Sequence, residues 1–237
     1  MTGRETGQDL AGFALLAGVP EAALARAAAA CHPRHYEAGA TLFDFDEPAT
    51  EVLFILSGAV RIVARTPAGR EFVYRDLEAG EVIGEIAAID GAPRSASASA
   101  VTGTRVLALP NASFLDLVAG APALSLRLLR MLSARVRELS IRLVEQSSMS
   151  VRQRVASELL RMARPRRAAA GAGEGGLAVS PPPPRHVLAA RIGARREAVS
   201  RELAAMRREG LVSLQRGALV LVELERLREL ARAEIGL

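Results

Sequence analysis

One short stretch, GEIAAIDGAPRSASASA from Gly84 to Ala100, holds the residues best suited to binding chemistry. It contains a single glutamate, Glu85, and a single arginine, Arg94, with a serine, Ser95, next to the arginine. A carboxylate can accept hydrogen bonds from sugar hydroxyls, whereas a guanidinium presents a fork of donors to phosphate oxygens. The stretch is either an ordinary loop with a surface ion pair or a cradle for an anionic ligand. The sugar and phosphate of a nucleotide would suit Glu85 and Arg94.

The backbone of this stretch also favours an anion. Gly84 lets the chain turn close to a ligand, because glycine has no Cβ. The next residues, 85–89, can form a single helical turn whose first N–H groups have no partner within the turn. Such N–H groups attract negative charge. We therefore expect side-chain and backbone donors to converge here.

A second cluster of charged residues lies near the C-terminus, where Arg196, Glu197 and Arg201 share the exposed side of a predicted helix. Arginine can bind guanine through two hydrogen bonds, and glutamate can accept one from cytosine. A carboxylate offers nothing to a phosphate, so its presence among arginines indicates base reading rather than charge attraction alone. The alternative is a solvated helix face with ion pairs.

Two helices joined by a tight turn are expected to position this second cluster. Residues 187–192 suit a short helix, and Gly193 can adopt the positive φ of a sharp turn. Residues 195–209 suit a second helix that ends at Gly210, with a buried stripe formed by Val199, Leu203 and Met206. LVSL and ALVLV, joined by a turn at 215–217, then form a hairpin. This order predicts a winged helix-turn-helix.

Short apolar segments between residues 40 and 109 are expected to position the first cluster. They are VLFILSG, AVRIVART, EFVYRDL, EAGEVIG and TRVLALP. Their close, regular spacing predicts an antiparallel sandwich or barrel. A helix over residues 8–32, with a break near Gly18–Pro20, precedes them.

A long helix follows, with Asn111 or Ser113 as its predicted N-cap. Its apolar stripe consists of Leu128, Leu132, Val136, Leu139 and Leu143. The stripe indicates either packing on its own domain or a coiled-coil seam between two copies, and we favour the homodimer because little local core is available to cover so long a helix. A further helix is expected from about Ser150 to Met162. Residues 163–185 are predicted to be a linker or long loop, and Pro181–Pro184 prevent helix up to the segment that follows.

The composition restricts the class of protein. The chain has 237 residues, enough for one or two domains, a formal net charge of +5 and one cysteine, Cys31. We expect no disulfide framework and no metal site, and we expect His32 and His35 to be surface residues. No window is apolar enough for a membrane span and no signal pattern begins the chain, so a cytoplasmic protein without membrane contact is expected. No nucleophile–base pair is visible, so an enzyme is not expected.

Two motifs resemble known families. Gly84–Ile89 followed by PRSAS is similar to the phosphate-binding cassette of cyclic-nucleotide-binding domains. LAARIG and RREAVSRELAAMRREGLV resemble the DNA-reading helices of the bacterial cyclic-AMP receptor protein (CRP/FNR) family, and the likeness covers about residues 10–225. The resemblance implies an α+β fold with a cyclic-nucleotide-binding β-roll (1–111), a dimerisation helix (112–148) and a winged helix-turn-helix DNA-binding domain (149–237).

The resemblance also implies roles for individual residues of the ligand site. Glu85 would bind the ribose 2′-hydroxyl of cAMP or cGMP. Arg94 and Ser95 would bind the cyclic phosphate. Gly84 and the backbone of Ile86 and Ala87 would assist, and Leu139 and Ser140 on the long helix would meet the base.

On the DNA side, the resemblance implies a transcription regulator that binds double-stranded DNA as a homodimer, with RNA polymerase as a further partner. Arg196, Glu197 and Arg201 occupy the three base-reading positions, and Arg185 and Arg195 also belong to the DNA-binding surface. A TGTGA-like inverted repeat is implied.

Three features depart from the family pattern. Leu139 stands where a threonine meets the adenine, which leaves cAMP and cGMP both open. FDFDEP (Phe43–Pro48) lacks the usual glycine before the acid, and the linker 164–184 is unusual. Two alternatives keep the architecture: a ligand-independent regulator with a vestigial pocket, and a regulator with a different trigger, such as an iron–sulfur cluster or haem.

Overall fold

The computed structural model describes residues 3–66, 71–166 and 176–232, with side chains from Gly7 onward. The chain divides into two compact units, Met1–Val136 and Arg137–Leu237. The division falls inside one continuous helix, Pro122–Ser148.

Helices begin the first unit. α1 spans Gly3–Ala11, a 3₁₀ turn spans Ala14–Leu16, and α2 spans Glu21–Ala30. The predicted break is confirmed, because Gly18 has a φ of 73° and Pro20 precedes α2. The predicted helix extends too far, since α2 ends at Ala30 and a strand begins at His32.

Eight strands then form two four-stranded antiparallel sheets. They are β1 (His32–Tyr36), β2 (Thr41–Phe43), β3 (Glu51–Ser57), β4 (Ala59–Arg65), β5 (Glu71–Glu78), β6 (Val82–Ile83), β7 (Ser97–Ala100) and β8 (Thr104–Pro110). The sheet orders are β1-β8-β3-β6 and β2-β7-β4-β5. A short helix, α3 (Glu85–Asp90), lies between β6 and β7. The predicted antiparallel architecture is confirmed.

β3 shows why this part of the sequence is so apolar. Val52 and Phe54 pack into the core beneath the N-terminal helices, whereas Leu53 and Ile55 pack into the core between the two sheets. Side chains alternate faces along a strand, so a strand covered on both faces reads as a continuous apolar run. β8 alternates between the same two cores.

The strands that the sequence did not predict are β1, β2 and β7. β7 is a run of serine and alanine with low intrinsic strand preference, but tertiary context forms it. Ala98 is fully buried between the sheets, and the Ser97 hydroxyl accepts a hydrogen bond from the Phe45 N–H at 3.0 Å.

α4 (Asn111–Gly120) and α5 (Pro122–Ser148) close the first unit and begin the second. The predicted N-cap is wrong. Pro110 precedes α4, and Asn111 lies inside the helix with its amide donating to the Ala49 carbonyl at 2.9 Å. The amide therefore satisfies a loop carbonyl, and Ser113 likewise lies within the helix.

The second unit contains the end of α5 and eight further helices and strands. They are α6 (Val151–Met162), β9 (Arg164–Pro165), β10 (Leu177–Val179), α7 (Arg185–Ile192), α8 (Arg196–Arg208), β11 (Val212–Gln215), β12 (Ala218–Leu221) and α9 (Leu224–Ala231). The sheet order is β11-β12-β10-β9. Ser150 caps α6 through a reciprocal capping box with Gln153.

The predicted helix-turn-helix and hairpin are confirmed. Gly193 turns the chain between α7 and α8 with a φ of 63°, and Gly210 follows α8 with a φ of 75°. The linker prediction needs correction, because β9 and β10 occupy parts of residues 163–185 and extend the hairpin sheet. Residues 167–175 of the predicted linker lie outside the described residues. α9 was not predicted, and it is held by Leu227, which is fully buried.

Within the described ranges, no helix is by itself both long and apolar enough to cross a bilayer. α4 and α5 meet that criterion only when taken together, and the chain bends by 109° between them.

Candidate functional site

Glu85 is the first residue of α3 and is only 1% exposed. Its carboxylate accepts a hydrogen bond from the guanidinium of Arg135, which lies on the part of α5 that belongs to the first unit. The prediction of a short helical turn here is confirmed. Arg135 was not identified from the sequence, because 50 residues separate the partners and no local spacing connects them.

Arg94 is also buried, with 5% of its surface exposed. One end of its guanidinium donates to the Glu51 carbonyl at 2.8 Å, and the other approaches the Gly84 carbonyl at 3.4 Å. The guanidinium carbon lies 4.2 Å from the centre of the Phe43 ring. Main-chain oxygens and an aromatic face therefore fix its position.

The described residues provide no carboxylate within ion-pair distance of Arg94. Burial lowers the pKa of Arg94 below its usual range, while the more distant carboxylates of Glu51, Glu47 and Glu85 act in the opposite direction. A buried cation without a counter-ion is costly, and an anion that hydrogen-bonds to it reduces that cost. The arrangement favours a negatively charged ligand.

Gly84 connects these two side chains, and two constraints require glycine there. Its φ is 87°, in the left-handed region. A Cβ at this position would collide with the Arg94 guanidinium and would lie 3.1 Å from the Glu51 carbonyl oxygen. Any other residue would therefore strain the backbone and displace Arg94.

Two main-chain hydrogen bonds between the loop Phe43–Pro48 and Arg94 hold the backbone of Arg94 in place. The Asp46 N–H donates to the Arg94 carbonyl, and the Arg94 N–H donates to the Glu47 carbonyl, both at 2.9 Å. Asp46 has a φ of 66° and so adopts the conformation that a glycine would readily supply. Aspartate tolerates this conformation better than most residues, which explains how the loop forms without glycine.

The remaining predicted ligand residues differ in exposure. Ala87 is buried, whereas Ile86 is 40% exposed and Ser95 is exposed. Leu139 and Ser140 lie on the part of α5 that belongs to the second unit, and both are exposed. The structure thus brings Gly84, Glu85 and Arg94 together, and the predicted contact of Leu139 and Ser140 with a base stays a prediction.

An exposed apolar stripe runs along α5. Leu129, Val136, Leu139 and Leu143 are 61%, 63%, 52% and 70% exposed, and half-buried Leu132 lies between the first two. These five positions alternate by three and four residues, which is the heptad spacing of a coiled coil. The predicted stripe was wrong in one member, because Leu128 is 2% exposed and packs in the core of the first unit.

α8 presents the second charged cluster. Arg196, Glu197 and Arg201 are exposed, and none of them pairs with another described residue. Two other carboxylates of this segment do pair: Arg152 bonds to Glu209 at 3.0 Å and lies 3.9 Å from Glu202. The unpaired groups are therefore a distinct face of α8.

The positions of α8 and of its neighbours are fixed by the core. Val199 and Met206 are fully buried beneath α8. Arg195, which precedes α8, and Arg185, which begins α7, are both exposed. The five residues predicted to contact DNA are thus all accessible.

Metal-binding arrangements are absent from the described residues, where no three His, Cys, Asp or Glu side chains are grouped to hold an ion. Cys31 is buried, and burial raises the pKa of its thiol to about 11. The thiol is therefore protonated and shielded at neutral pH.

Comparisons with known proteins agree with this geometry. Residues 33–120 match the cyclic nucleotide-binding domain, and residues 153–230 match the Crp-like helix-turn-helix domain. The chain is 31% identical over 224 residues to a CRP-like cAMP-activated global transcriptional regulator of Mycobacterium tuberculosis, covering 94% of this chain and 98% of that protein. It is 34% identical to the cyclic AMP receptor protein of Thermus thermophilus, covering 84% and 87%. The structure of FixK2 from Bradyrhizobium japonicum, at 24% identity, has the same fold, with a TM-score of 0.72 over 86% of this chain and 98% of that one.

Proposed function

Because the chain belongs to the CRP family of transcription regulators, with a cyclic-nucleotide-binding domain and a Crp-like helix-turn-helix, we propose that a cyclic nucleotide controls its binding to DNA. The first relative above is named a cAMP-activated global transcriptional regulator, and the second is named a cyclic AMP receptor protein. cAMP is therefore the first ligand to test, and cGMP is the second.

The observation that best supports this proposal is the environment of the Arg94 guanidinium. Its guanidinium is buried, held by two carbonyl oxygens and a ring, and has no carboxylate partner among the described residues. The cyclic phosphate of a nucleotide would supply the missing negative charge through charge-assisted hydrogen bonds. Exposed Ser95 follows directly and would add a hydroxyl donor.

Glu85 would bind the ribose of the same ligand. A carboxylate has about four acceptor positions, so Glu85 can accept a ribose hydroxyl while it keeps its bond to Arg135. Since Arg135 lies on α5, ligand binding at Glu85 would act directly on that helix. This is the proposed route from the ligand to the rest of the protein.

The exposed stripe of α5 supports a homodimer. Four large apolar side chains at least half exposed are unusual on one helix of a monomer, and a second copy of α5 would cover them. Leu139 and Ser140 would then lie at or beside the seam, where the base of a nucleotide could meet them.

The dimer would place two copies of α8 in successive major grooves, about 34 Å apart. Arg196, Glu197 and Arg201 would read a TGTGA-like half-site, and the two-fold symmetry would require an inverted repeat. Arg185 and Arg195 would contact the DNA backbone. We also propose RNA polymerase as a further partner and a cytoplasmic location for the protein.

The ligand would work by preferring one of two dimer states. It can shift their balance only through its differential affinity, and a hundredfold shift corresponds to about 2.7 kcal/mol. Calorimetric titration with cAMP and with cGMP, followed by DNA binding with each, tests the proposal. Tight DNA binding that neither nucleotide changes would instead favour a ligand-independent regulator with a vestigial pocket.

A further inference from the structure

In the second unit, two ion pairs join the end of α5 to α6. The positive group lies on α5 in one pair and on α6 in the other. Arg142 on α5 lies 3.8 Å from Glu158 on α6. One turn further along each helix, Glu145 on α5 accepts a hydrogen bond from Arg161 on α6. We call these four residues the clasp. Each helix contributes one positive and one negative group, so the charges match only in one alignment of the two helices.

Glu158 also connects the clasp to the helix-turn-helix. Its carboxylate is 1% exposed and accepts hydrogen bonds from Arg191 on α7 and from Arg161, each at 3.1 Å. One buried carboxylate thus lies among three guanidiniums that come from α5, α6 and α7.

The burial of these groups makes the connection stiff. The side chains of Arg191, Arg142 and Arg161 are 7%, 15% and 30% exposed, whereas those of the Arg228–Glu225 pair on α9 are 51% and 75% exposed. An exposed pair contributes little, because water and salt screen it. A buried carboxylate that loses one partner keeps its desolvation cost without the compensating attraction. Movement of α5 relative to α6 is therefore opposed.

The turn between α5 and α6 is constrained as well. Met149 is buried, and Ser150 forms the capping box that begins α6. Both residues between α5 and α6 are therefore held in place, and a change in the angle between the two helices would disrupt their contacts.

We propose that Glu158 is a positioning residue for DNA reading: through the clasp and Arg191 it holds the last turns of α5, α6 and α7 as one rigid body. A displacement of the last turns of α5 then carries the helix-turn-helix with it instead of bending the α5–α6 connection. The part played by the ligand in this inference rests on the proposed function, whereas the rigidity of the connection does not.

Distance measurements between spin labels test the rigidity directly. Labels are attached through Arg137→Cys on α5 and Ala204→Cys on α8, two exposed positions of the second unit, with Cys31 replaced by serine. Labelled protein is diluted with excess unlabelled protein, so that each measured distance lies within one protomer. We expect one narrow distance distribution that is the same with and without saturating cAMP.

The clasp variant is Arg142→Gln with Arg161→Gln, and the control is Arg228→Gln in the exposed pair of α9. We expect the double variant to widen the distance distribution at least twofold and the control to leave it unchanged. Arg142→Gln alone leaves Glu158 with two partners and serves as the folded reference if the double variant melts early. An unchanged width in both clasp variants, or a wild-type distance that shifts with cAMP, would overturn the proposal.

A second readout separates positioning from stability. In Arg142→Gln, the affinity for cAMP should stay near that of wild type, and the melting temperature should fall by only a few degrees, because Glu158 keeps Arg161 and Arg191. The cAMP-dependent gain in DNA affinity should nevertheless fall at least fivefold. If wild type binds no cyclic nucleotide, the proposed function fails, and the ligand-free distance distributions still decide whether the clasp holds. If Arg142→Gln keeps the full gain, Glu158 has no positioning role through α5.

Discussion

Glu85 and Arg135 form a buried ion pair that joins α3 to α5 within the first unit, although 50 residues separate them in the sequence. Their side chains are 2% and 20% exposed. The Nε of Arg135 is buried as well and has no hydrogen-bond partner among the described residues. The carboxylate that we propose to bind the ribose is therefore also bound to α5.

The first prediction concerns this pair. Arg135→Gln leaves the Glu85 carboxylate buried without its partner, so we expect a loss of about 2 kcal/mol in the free energy of unfolding, less than for a fully buried pair because Arg135 is partly exposed. Urea unfolding followed by circular dichroism measures it. Exposed Arg130→Gln on the same helix is the control, and an equal effect of the two changes would contradict a special role for the pair.

The second prediction concerns the unpaired cation. Arg94→Met keeps apolar bulk over Phe43 but removes the charge, so cyclic-nucleotide affinity should fall at least about a hundredfold, as expected from the loss of two charge-assisted hydrogen bonds at about 1.5–3 kcal/mol each. The ligand-free melting temperature should fall little or rise, because a desolvated charge has been removed. Calorimetric titration and thermal melts check both results, and nucleotide binding that persists unchanged would refute the assignment of Arg94.

The third prediction separates two effects of a glycine. Gly84 and Gly91 flank α3 with φ values of 87° and 71°, but a Cβ would collide with Arg94 only at Gly84, since nothing lies within 4 Å at Gly91. Gly91→Ala should cost about 1 kcal/mol through its backbone conformation and should keep nucleotide binding. Gly84→Ala should cost about 3 kcal/mol and should abolish nucleotide binding, because the guanidinium is displaced as well. Similar nucleotide affinities in the two variants would show that Arg94 accommodates the methyl group.

The fourth prediction uses two apolar residues of α5 that are equally exposed. Leu139 and Ile141 are both 52% exposed, but only Leu139 lies on the heptad stripe. Leu139→Glu should dissociate the ligand-free dimer, whereas Ile141→Glu should leave it intact. Sedimentation equilibrium without nucleotide distinguishes them, and dissociation by both changes, or by neither, would argue against this seam.

The fifth prediction concerns base reading by α8. Glu197→Ala should relax the choice of base at one position of each half-site, at about 1–3 kcal/mol for the lost contact, and should leave other positions unaffected. Competition assays with singly substituted half-sites measure this. Glu225→Ala on α9 is the control, and an equal loss on every DNA sequence would mean that Glu197 reads no base.

The sequence was sufficient to predict the elements that local patterns define. The β3 run, the Gly193 turn and the α8 stripe each depend on spacing within one segment, and the structure has all three. Arg135 could not be predicted, because its partner is set by the packing of α5 against α3. The same reason applies to β7, whose Ser97–Ala100 run forms a strand only between its two neighbours.

Predictions from local sequence also failed where one residue could serve either of two structural roles. Asn111 has the chemistry of a helix cap, but its amide satisfies the Ala49 carbonyl instead. Leu128 and Leu129 are adjacent leucines on α5, and only the position of the first-unit core decides that Leu128 packs inward while Leu129 stays exposed. Such choices require the tertiary structure.

The groups that hold Arg94 have a consequence for the conditions under which the protein would operate. The carbonyl oxygens of Glu51 and Gly84 and the ring of Phe43 neither gain nor lose protons in cells. The contacts that hold the guanidinium proposed to bind the phosphate are thus insensitive to acidification of the surroundings, and this part of the proposed site would respond to the nucleotide supply rather than to acid stress.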